Sequence, residues 1–288
     1  LLLISPFSGC LPSDSGITSE GQAKKDVLPL VKKQSITSAP AFIDSVILAE
    51  RRFKEAPMLK LRVQQGQLPP VSERLPAKPL IVVPINEIGT YGGTLRRALT
   101  GDIAQVPGPS KALSDNLMGY ERPRPNSIQL NMAESYQFLD GGKTVIFKIR
   151  KGIKWSDGVL FTVDDILFSY YDMMFDDNAR EDPIPITVWM IKGKPISMEK
   201  IDDFTLRISS PNPLGRVLNA LCSDNFAHPK HVLARLHPRY NPKAKYEIFR
   251  DSTTAAQLIM KPGIPRLSAW VPVKWVRGQR IVYERNPY

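Results

Sequence analysis

The sequence has little of what stabilises a disulfide-rich domain or a membrane-embedded one. Two cysteines, Cys10 and Cys222, occur among 288 residues, and two cysteines do not make a disulfide framework. After Cys10 no apolar run approaches the roughly 20 residues that a helix needs to cross a bilayer. The body of the chain is therefore expected to fold around an ordinary hydrophobic core, which its 42% of hydrophobic residues can supply.

Catalytic motifs are scarce as well. No serine lies in a G-x-S-x-G turn, no glycine-rich loop has the spacing of a phosphate site, and YGGT lacks the third glycine of a dinucleotide fingerprint. His228 and His231 flank Pro229 and Lys230 with no carboxylate beside them in sequence, so we interpret them as part of a helix start. We interpret Cys222 as a small buried side chain. The sequence predicts neither an enzyme nor a metal site or cofactor.

Acidic residues are in deficit. Lysine and arginine number 39 against 28 aspartates and glutamates, which gives a formal net charge of +11. Nucleic-acid-binding proteins gather such charge into a patch or arm. Here the basic residues are dispersed and paired with acids, as in AERRFKE, so no nucleic-acid partner is predicted. A basic cell-surface protein that binds anionic polymers stays open as an alternative.

The opening stretch, LLLISPFSGC, is short and apolar and ends on a cysteine. Ser8 and Gly9, two small residues, stand before Cys10, and this resembles the lipobox of bacterial lipoproteins, whose cysteine is acylated. Phe7 replaces the usual leucine and no charged segment comes first, so we expect the start of a signal peptide to be missing. Residues 11–22, rich in Ser, Gly and Thr, predict a flexible tether. The alternative is a frayed terminus with an incidental cysteine.

Residues 23–85 are predicted to form an N-terminal extension. Apolar residues at helical spacing predict a helix over 41–60 that is interrupted at Pro57. Four prolines in the next twenty residues predict an extended segment with little regular structure. The run IVVP that follows predicts a short strand, and YGGTLRRALTGD predicts a glycine turn that leads into another strand.

The strongest local pattern begins at Tyr136. Apolar residues alternate with polar ones on both sides of Gly141-Gly142, which predicts two half-buried strands joined by a tight turn. Thr162, followed by Asp164 and Asp165, has the chemistry of a helix start, and the helix is predicted to run to about residue 175. Further strands are predicted around residues 204–208 and 279–285, with short helices at PLGRVLNALCS and PKHVLARL. The irregular order predicts an α/β fold of the mixed α+β kind.

Six segments together resemble one family, the bacterial extracellular solute-binding proteins of family five, which serve ABC importers. FKIRKGIKWSDGVLFTVDDILFSY carries the family's strand ending in R-K-G, its W-x-D-G turn and its T-x-x-D helix. NMAESYQFLDGG, KIDDFTLRI, FAHPKHVL and GQRIVYERNPY follow the family's order, with Tyr136 in place of the usual tryptophan. EAPMLKLRVQQGQLPPVSERLP is similar to a branch of long, lipid-anchored members. The resemblance covers roughly residues 55–288.

The resemblance implies a fold and a function. Residues 86–288 would be the N-terminal part of the solute-binding domain: a lobe of the type II periplasmic-binding-protein kind plus a small extra domain. In the family a second lobe follows R-N-P-x-Y, so we expect it to be missing and the chain to be a fragment. The whole protein would capture an oligopeptide outside the membrane and deliver it to the permease subunits, held at the membrane only by the lipid anchor. An oligosaccharide-binding member and a truncated, non-transport envelope protein are the alternatives.

The residues that contact ligand in this family do not belong to its signature motifs. Our candidates are Tyr91 and Gly92 beside the first strand and Trp189 in the loop-like PIPITVWMIKGK. Trp155 and Asp157, in contrast, are interpreted as residues that form the fold. Cys10 remains the predicted lipidation site.

Overall fold

The computed structural model describes residues 53–81, 89–99, 109, 115–120, 127–180, 187–223 and 226–288. Within these ranges strands and short helices alternate irregularly, as the sequence predicts. No helix in the described ranges is long and apolar enough to cross a bilayer. Cys10, the tether at 11–22 and residues 82–84 of the IVVP run lie outside the described residues.

The strands of the described residues pair in four antiparallel sheets, one of four strands and three of two. In chain order they are β1 (Met118–Tyr120), β2 (Ile128–Leu130), β3 (Ala133–Leu139), β4 (Thr144–Ile149), β5 (Met190–Ile191), β6 (Lys194–Pro195), β7 (Ser197–Asp202), β8 (Thr205–Ser209), β9 (Trp270–Val276) and β10 (Arg280–Arg285). The largest sheet has the order β3-β4-β8-β7.

Strands β4 and β8 of the four-stranded sheet place their alternating apolar residues on one buried face. Phe147 pairs with Leu206 and Val145 with Ile208, and all four are completely buried. The turn between β3 and β4 contains Gly141 and Gly142 with φ angles of 63° and 85°, which glycine adopts without strain. The hairpin and the strand at 205–209 confirm the predicted strands, and β4 is half-buried as expected. The prediction that β3 is half-buried was wrong, because Tyr136 and Phe138 are 41% and 39% exposed.

The helices are short. They are α1 (Pro57–Gln64), α2 (Val71–Arg74), α3 (Val163–Leu167), α4 (Val217–Ser223), α5 (Lys230–Leu233), α6 (Tyr246–Thr253) and α7 (Ala255–Met260). The chain continues from α3 as a π-helix over Phe168–Met174, so the helical stretch ends next to the predicted residue 175. The predicted helices at 217–223 and 230–233 are confirmed.

The segment from residue 53 to 81 differs from its prediction. Pro57 begins α1, because proline at a first helical position loses no intrahelical hydrogen bond. Residues 41–52 of the predicted helix lie outside the described residues. The proline-rich stretch contains the rest of α1 and also α2, which starts directly after Pro70. Residues 91–99, where a strand was predicted after the glycines, have no regular structure.

The main core lies between the four-stranded sheet and the helical stretch that begins at α3. Trp155, Phe161, Ile166, Tyr170 and Trp189 all pack into it. A second apolar cluster surrounds Phe249 of α6, and a third joins α1 to the last residue of the chain, Tyr288. The division at residue 85 between extension and binding domain stays a prediction.

Candidate ligand site

The W-S-D-G segment forms a tight turn that its glycine makes possible. The Gly158 N–H donates to the carbonyl of Trp155 at 2.8 Å, and the Val159 N–H donates to the Asp157 carboxylate at 3.2 Å. Gly158 has a φ of +90°, and a Cβ there would lie 2.8 Å from the hydroxyl oxygen of Tyr288. The turn therefore needs glycine both for its backbone angle and for the close approach of the R-N-P-x-Y tyrosine.

A buried carboxylate joins the turn to the following elements. Asp165 Oδ2 accepts hydrogen bonds from the Thr162 backbone N–H at 3.0 Å and from the Trp155 indole at 3.2 Å. Its Oδ1 accepts the Lys230 N–H, at the start of α5, at 3.0 Å. Burial raises the pKa of this carboxyl, while the hydrogen bonds from Thr162, Lys230 and Trp155 oppose the rise. Trp155 is only 2% exposed, so its role in forming the fold fits this position.

His228 lies next to this carboxylate network in a fixed tautomer. The Ser169 hydroxyl donates its one hydrogen to the Asp165 carbonyl at 2.9 Å, so its oxygen accepts from His228 Nδ1 at 3.0 Å. This assignment leaves His228 Nε2 as an unprotonated acceptor. Desolvation and the nearby Arg266 charge lower the pKa of His228 to about 4, so the imidazole is neutral near pH 7.

His228 borders a cavity of about 60 Å³. The wall combines apolar side chains with three ionisable groups, a composition typical of small-molecule sites. It includes Asp115, Trp155, His228, Leu258, Ile259 and Arg266. Burial raises the pKa of Asp115, against hydrogen bonds from the Asn131 side chain and the Ala269 backbone that lower it.

Arg266 is fixed in the cavity wall through its backbone. Its N–H donates to Ser156 Oγ at 3.0 Å, and its carbonyl accepts from the Ser156 N–H at 2.8 Å. The Asn286 amide of the R-N-P-x-Y motif also donates to this carbonyl, at 3.2 Å. The W-S-D-G and R-N-P-x-Y segments thus hold Arg266 from two sides.

The residues proposed from sequence do not gather at this cavity. Tyr91 is 53% exposed, with the Arg285 guanidinium 5.7 Å from its ring centre, and Gly92 is exposed beside it. Trp189 has no exposed surface and packs at 5.0 Å between ring centres against Phe226. Ligand contact by these three residues stays a prediction, and the burial of Trp189 favours a role in the core.

Sequence reasoning missed the ionisable residues of the cavity wall. Asp115, His228 and Arg266 are far apart in the chain, and no local motif marks their meeting. His231 lies in a helix start, as interpreted from sequence. Its carboxylate partner was missed, because Asp157, 74 positions earlier, lies 2.7 Å from its Nε2. The W-S-D-G turn places Asp157 next to His231. Its D-G dipeptide, which indicates a turn, was the sequence feature that pointed to this arrangement.

Comparison with known proteins identifies the family. Residues 127–288, more than half of the chain, match the family model described as bacterial extracellular solute-binding proteins, family 5 Middle. The chain belongs to this family. The resemblance read from the six segments is thereby confirmed, as is the mixed α/β lobe of the type II periplasmic-binding-protein kind.

The relatives include proteins named for oligopeptides and proteins named for sugars. The solved structure of an oligopeptide-binding protein, OppA, matches 82% of this chain with a TM-score of 0.70 and 31% identity. The structure of MelB from Agrobacterium fabrum C58, in complex with stachyose, matches 82% with a TM-score of 0.67 and 28% identity. The periplasmic alpha-galactoside-binding protein of Rhizobium meliloti (strain 1021) is 27% identical over 90% of this chain. The chain spans 38%, 38% and 39% of the lengths of these relatives, in that order.

Proposed function

We propose that this chain belongs to the substrate-binding component of an ABC importer, which captures oligopeptides outside the cytoplasmic membrane and delivers them to the permease. The observation that carries the proposal is the family match over residues 127–288 together with the OppA-like fold. At about 60 Å³, the cavity bounded by Trp155, His228 and Arg266 has room for one small group of such a ligand, and it offers that group apolar surface with a few fixed polar groups.

The mechanism is binding without covalent chemistry. Ligand held between two lobes stabilises the closed form, because it contacts both lobes only when they are closed. The closed form then docks on the permease. Cys10 as a lipid anchor, Tyr91 and Gly92 as ligand contacts, and extracytoplasmic localisation belong to the same proposal.

An oligosaccharide is the second candidate ligand. It is favoured by the alpha-galactoside-binding relative, whose alignment extends over 90% of this chain, and by the stachyose complex of the structural relative. Neutral sugars need hydrogen bonds and stacking surface, whereas peptides also carry charged termini.

Calorimetric titration of the whole protein, both lobes included, with tri-alanine and with stachyose tests the proposal and distinguishes the two ligands. Saturable binding of tri-alanine with a dissociation constant in the micromolar range is expected, as 1 µM corresponds to about 8 kcal/mol of binding free energy. Binding of stachyose without binding of tri-alanine would show that the ligand is an oligosaccharide and not an oligopeptide. Failure of both ligands to bind, with the protein folded by circular dichroism, would contradict the proposed function.

A further inference from the structure

The guanidinium of Arg266 has one edge without a hydrogen-bond acceptor. Its Nε and Nη2 atoms are buried, and among the described residues no group accepts a hydrogen bond from either. These two nitrogens lie on the same side of the planar guanidinium and donate two parallel N–H bonds. This is the arrangement that engages both oxygens of a carboxylate at once.

Among the described residues, no carboxylate accepts a hydrogen bond from Nε or Nη2 to neutralise this cation. Desolvation lowers the pKa of Arg266 to about 10, which leaves it charged near pH 7, and the charge interaction that opposes the shift comes from Tyr283. His228 is neutral under the same conditions and accepts through Nε2. The Asp115 carboxylate is engaged by Asn131 and Ala269. A desolvated edge of a cation without an anionic partner is costly, so the position favours an anion that binds there.

The cavity beside Arg266 has room for a small anionic group. Its volume of about 60 Å³ exceeds the roughly 10–15 Å³ that a single water requires. The apolar side chains of Leu258 and Ile259 form part of its wall, and they exclude water from a charge pair and thereby strengthen it. The space and the polarity are therefore those of a carboxylate with a short aliphatic stem.

We propose that Arg266 forms a carboxylate-binding subsite, in which Nε and Nη2 hold a carboxylate of the transported ligand. The inference rests on the proposed function and specifies its substrate class: a peptide with a free carboxylate, and not a neutral sugar. The carboxylate has two possible sources, the C-terminus of the peptide and an acidic side chain. Both present the same planar pair of oxygens to the guanidinium.

Three peptides and four proteins separate these sources. Tri-alanine, tri-alanine amide and Ala-Glu-Ala amide are titrated into the wild type, Arg266→Gln and Arg266→Lys. Arg280→Gln, an exposed arginine at the start of β10, is the matched control. We expect the wild type to bind tri-alanine at least about tenfold more tightly than its amide, given what a buried charge-assisted pair contributes. Arg266→Gln should remove this preference, and Arg280→Gln should retain it.

Each outcome decides the inference separately from the proposed function. Recovered affinity for Ala-Glu-Ala amide would show that the subsite also accepts a side-chain carboxylate, and no recovery would restrict it to the C-terminus. Equal binding of tri-alanine and both amides by the wild type, or a preference that survives in Arg266→Gln, would overturn the subsite while the binding function stands.

A second measurement applies if no peptide binds or a variant fails to fold. The thermal unfolding midpoint of the wild type is compared in sodium acetate and in sodium chloride at equal ionic strength. We expect acetate to raise the midpoint of the wild type and of Arg280→Gln, because a ligand that binds only the native state stabilises it. The same midpoint in both salts would overturn the subsite, and Arg266→Lys provides the comparison if Arg266→Gln does not fold.

Discussion

At the scale of single residues, His228 is an imidazole that the native fold keeps neutral. Burial and the Arg266 charge lower its pKa to about 4, against an ordinary value of 6.5. Below pH 6.5 the unfolded chain takes up a proton that the native state does not bind. The stability that depends on neutral His228 is therefore fully present above pH 6.5 and is lost as the pH falls toward 4.

This linkage predicts a pH-dependent difference between the wild type and His228→Gln. Between pH 7 and pH 5 the wild type should lose up to about 2 kcal/mol more of its free energy of unfolding, since each pH unit in this window is worth about 1.4 kcal/mol. Asp115 and Asp165, whose pKa values burial raises, change stability in the opposite direction in both proteins and largely cancel in the difference. Urea unfolding at the two pH values measures it, and equal losses would contradict the prediction.

At the scale of elements, the start of α3 depends on reciprocal capping. Thr162 Oγ1 accepts from the Asp164 N–H at 3.3 Å, while the Asp165 carboxylate accepts from the Thr162 N–H. Thr162→Ala is expected to lower the free energy of unfolding by about 1 kcal/mol, because one helix N–H loses its acceptor. Thr162→Ser keeps the hydroxyl and is the matched control. Urea unfolding in which both variants lose the same stability would show that the missing methyl, and not the cap, is responsible.

Elements specified by neighbouring residues were the ones that could be predicted. The β3–β4 hairpin follows from local alternation around Gly141-Gly142, and α3 from Thr162 and the acids after it. The start of α1 at Pro57 was not predictable from the rule that proline interrupts helices, because the same residue is tolerated at a first position. The cavity was less predictable still. Arg266 and His228 are 38 positions apart, and their approach depends on the pairing of Arg266 with Ser156, a contact that spans 110 positions.

At the scale of the whole molecule, the segment that contains α1 and α2 is bound to both the middle and the end of the chain. Arg74, 4% exposed, donates to the Glu55 carboxylate, to the Pro287 carbonyl, and through Nε to the Pro69 carbonyl at 2.9 Å. Further along, the Ala77 N–H donates to the Lys151 carbonyl at 2.9 Å. Arg74 thus joins the proline-rich segment to the R-N-P-x-Y motif, which also fixes Arg266.

Replacement of Arg74 should therefore loosen the N-terminal segment. Arg74→Gln removes the buried guanidinium and leaves Glu55 without its ion-pair partner, so we expect faster amide hydrogen exchange over residues 53–78. Exchange within β4 and β8 should change little, because their hydrogen bonds lie in the central sheet. Arg62→Gln, at an exposed position of α1, is the control. Exchange over 53–78 as slow as in the wild type would show that the apolar contacts of Ala56, Leu59 and Leu68 hold the segment without Arg74.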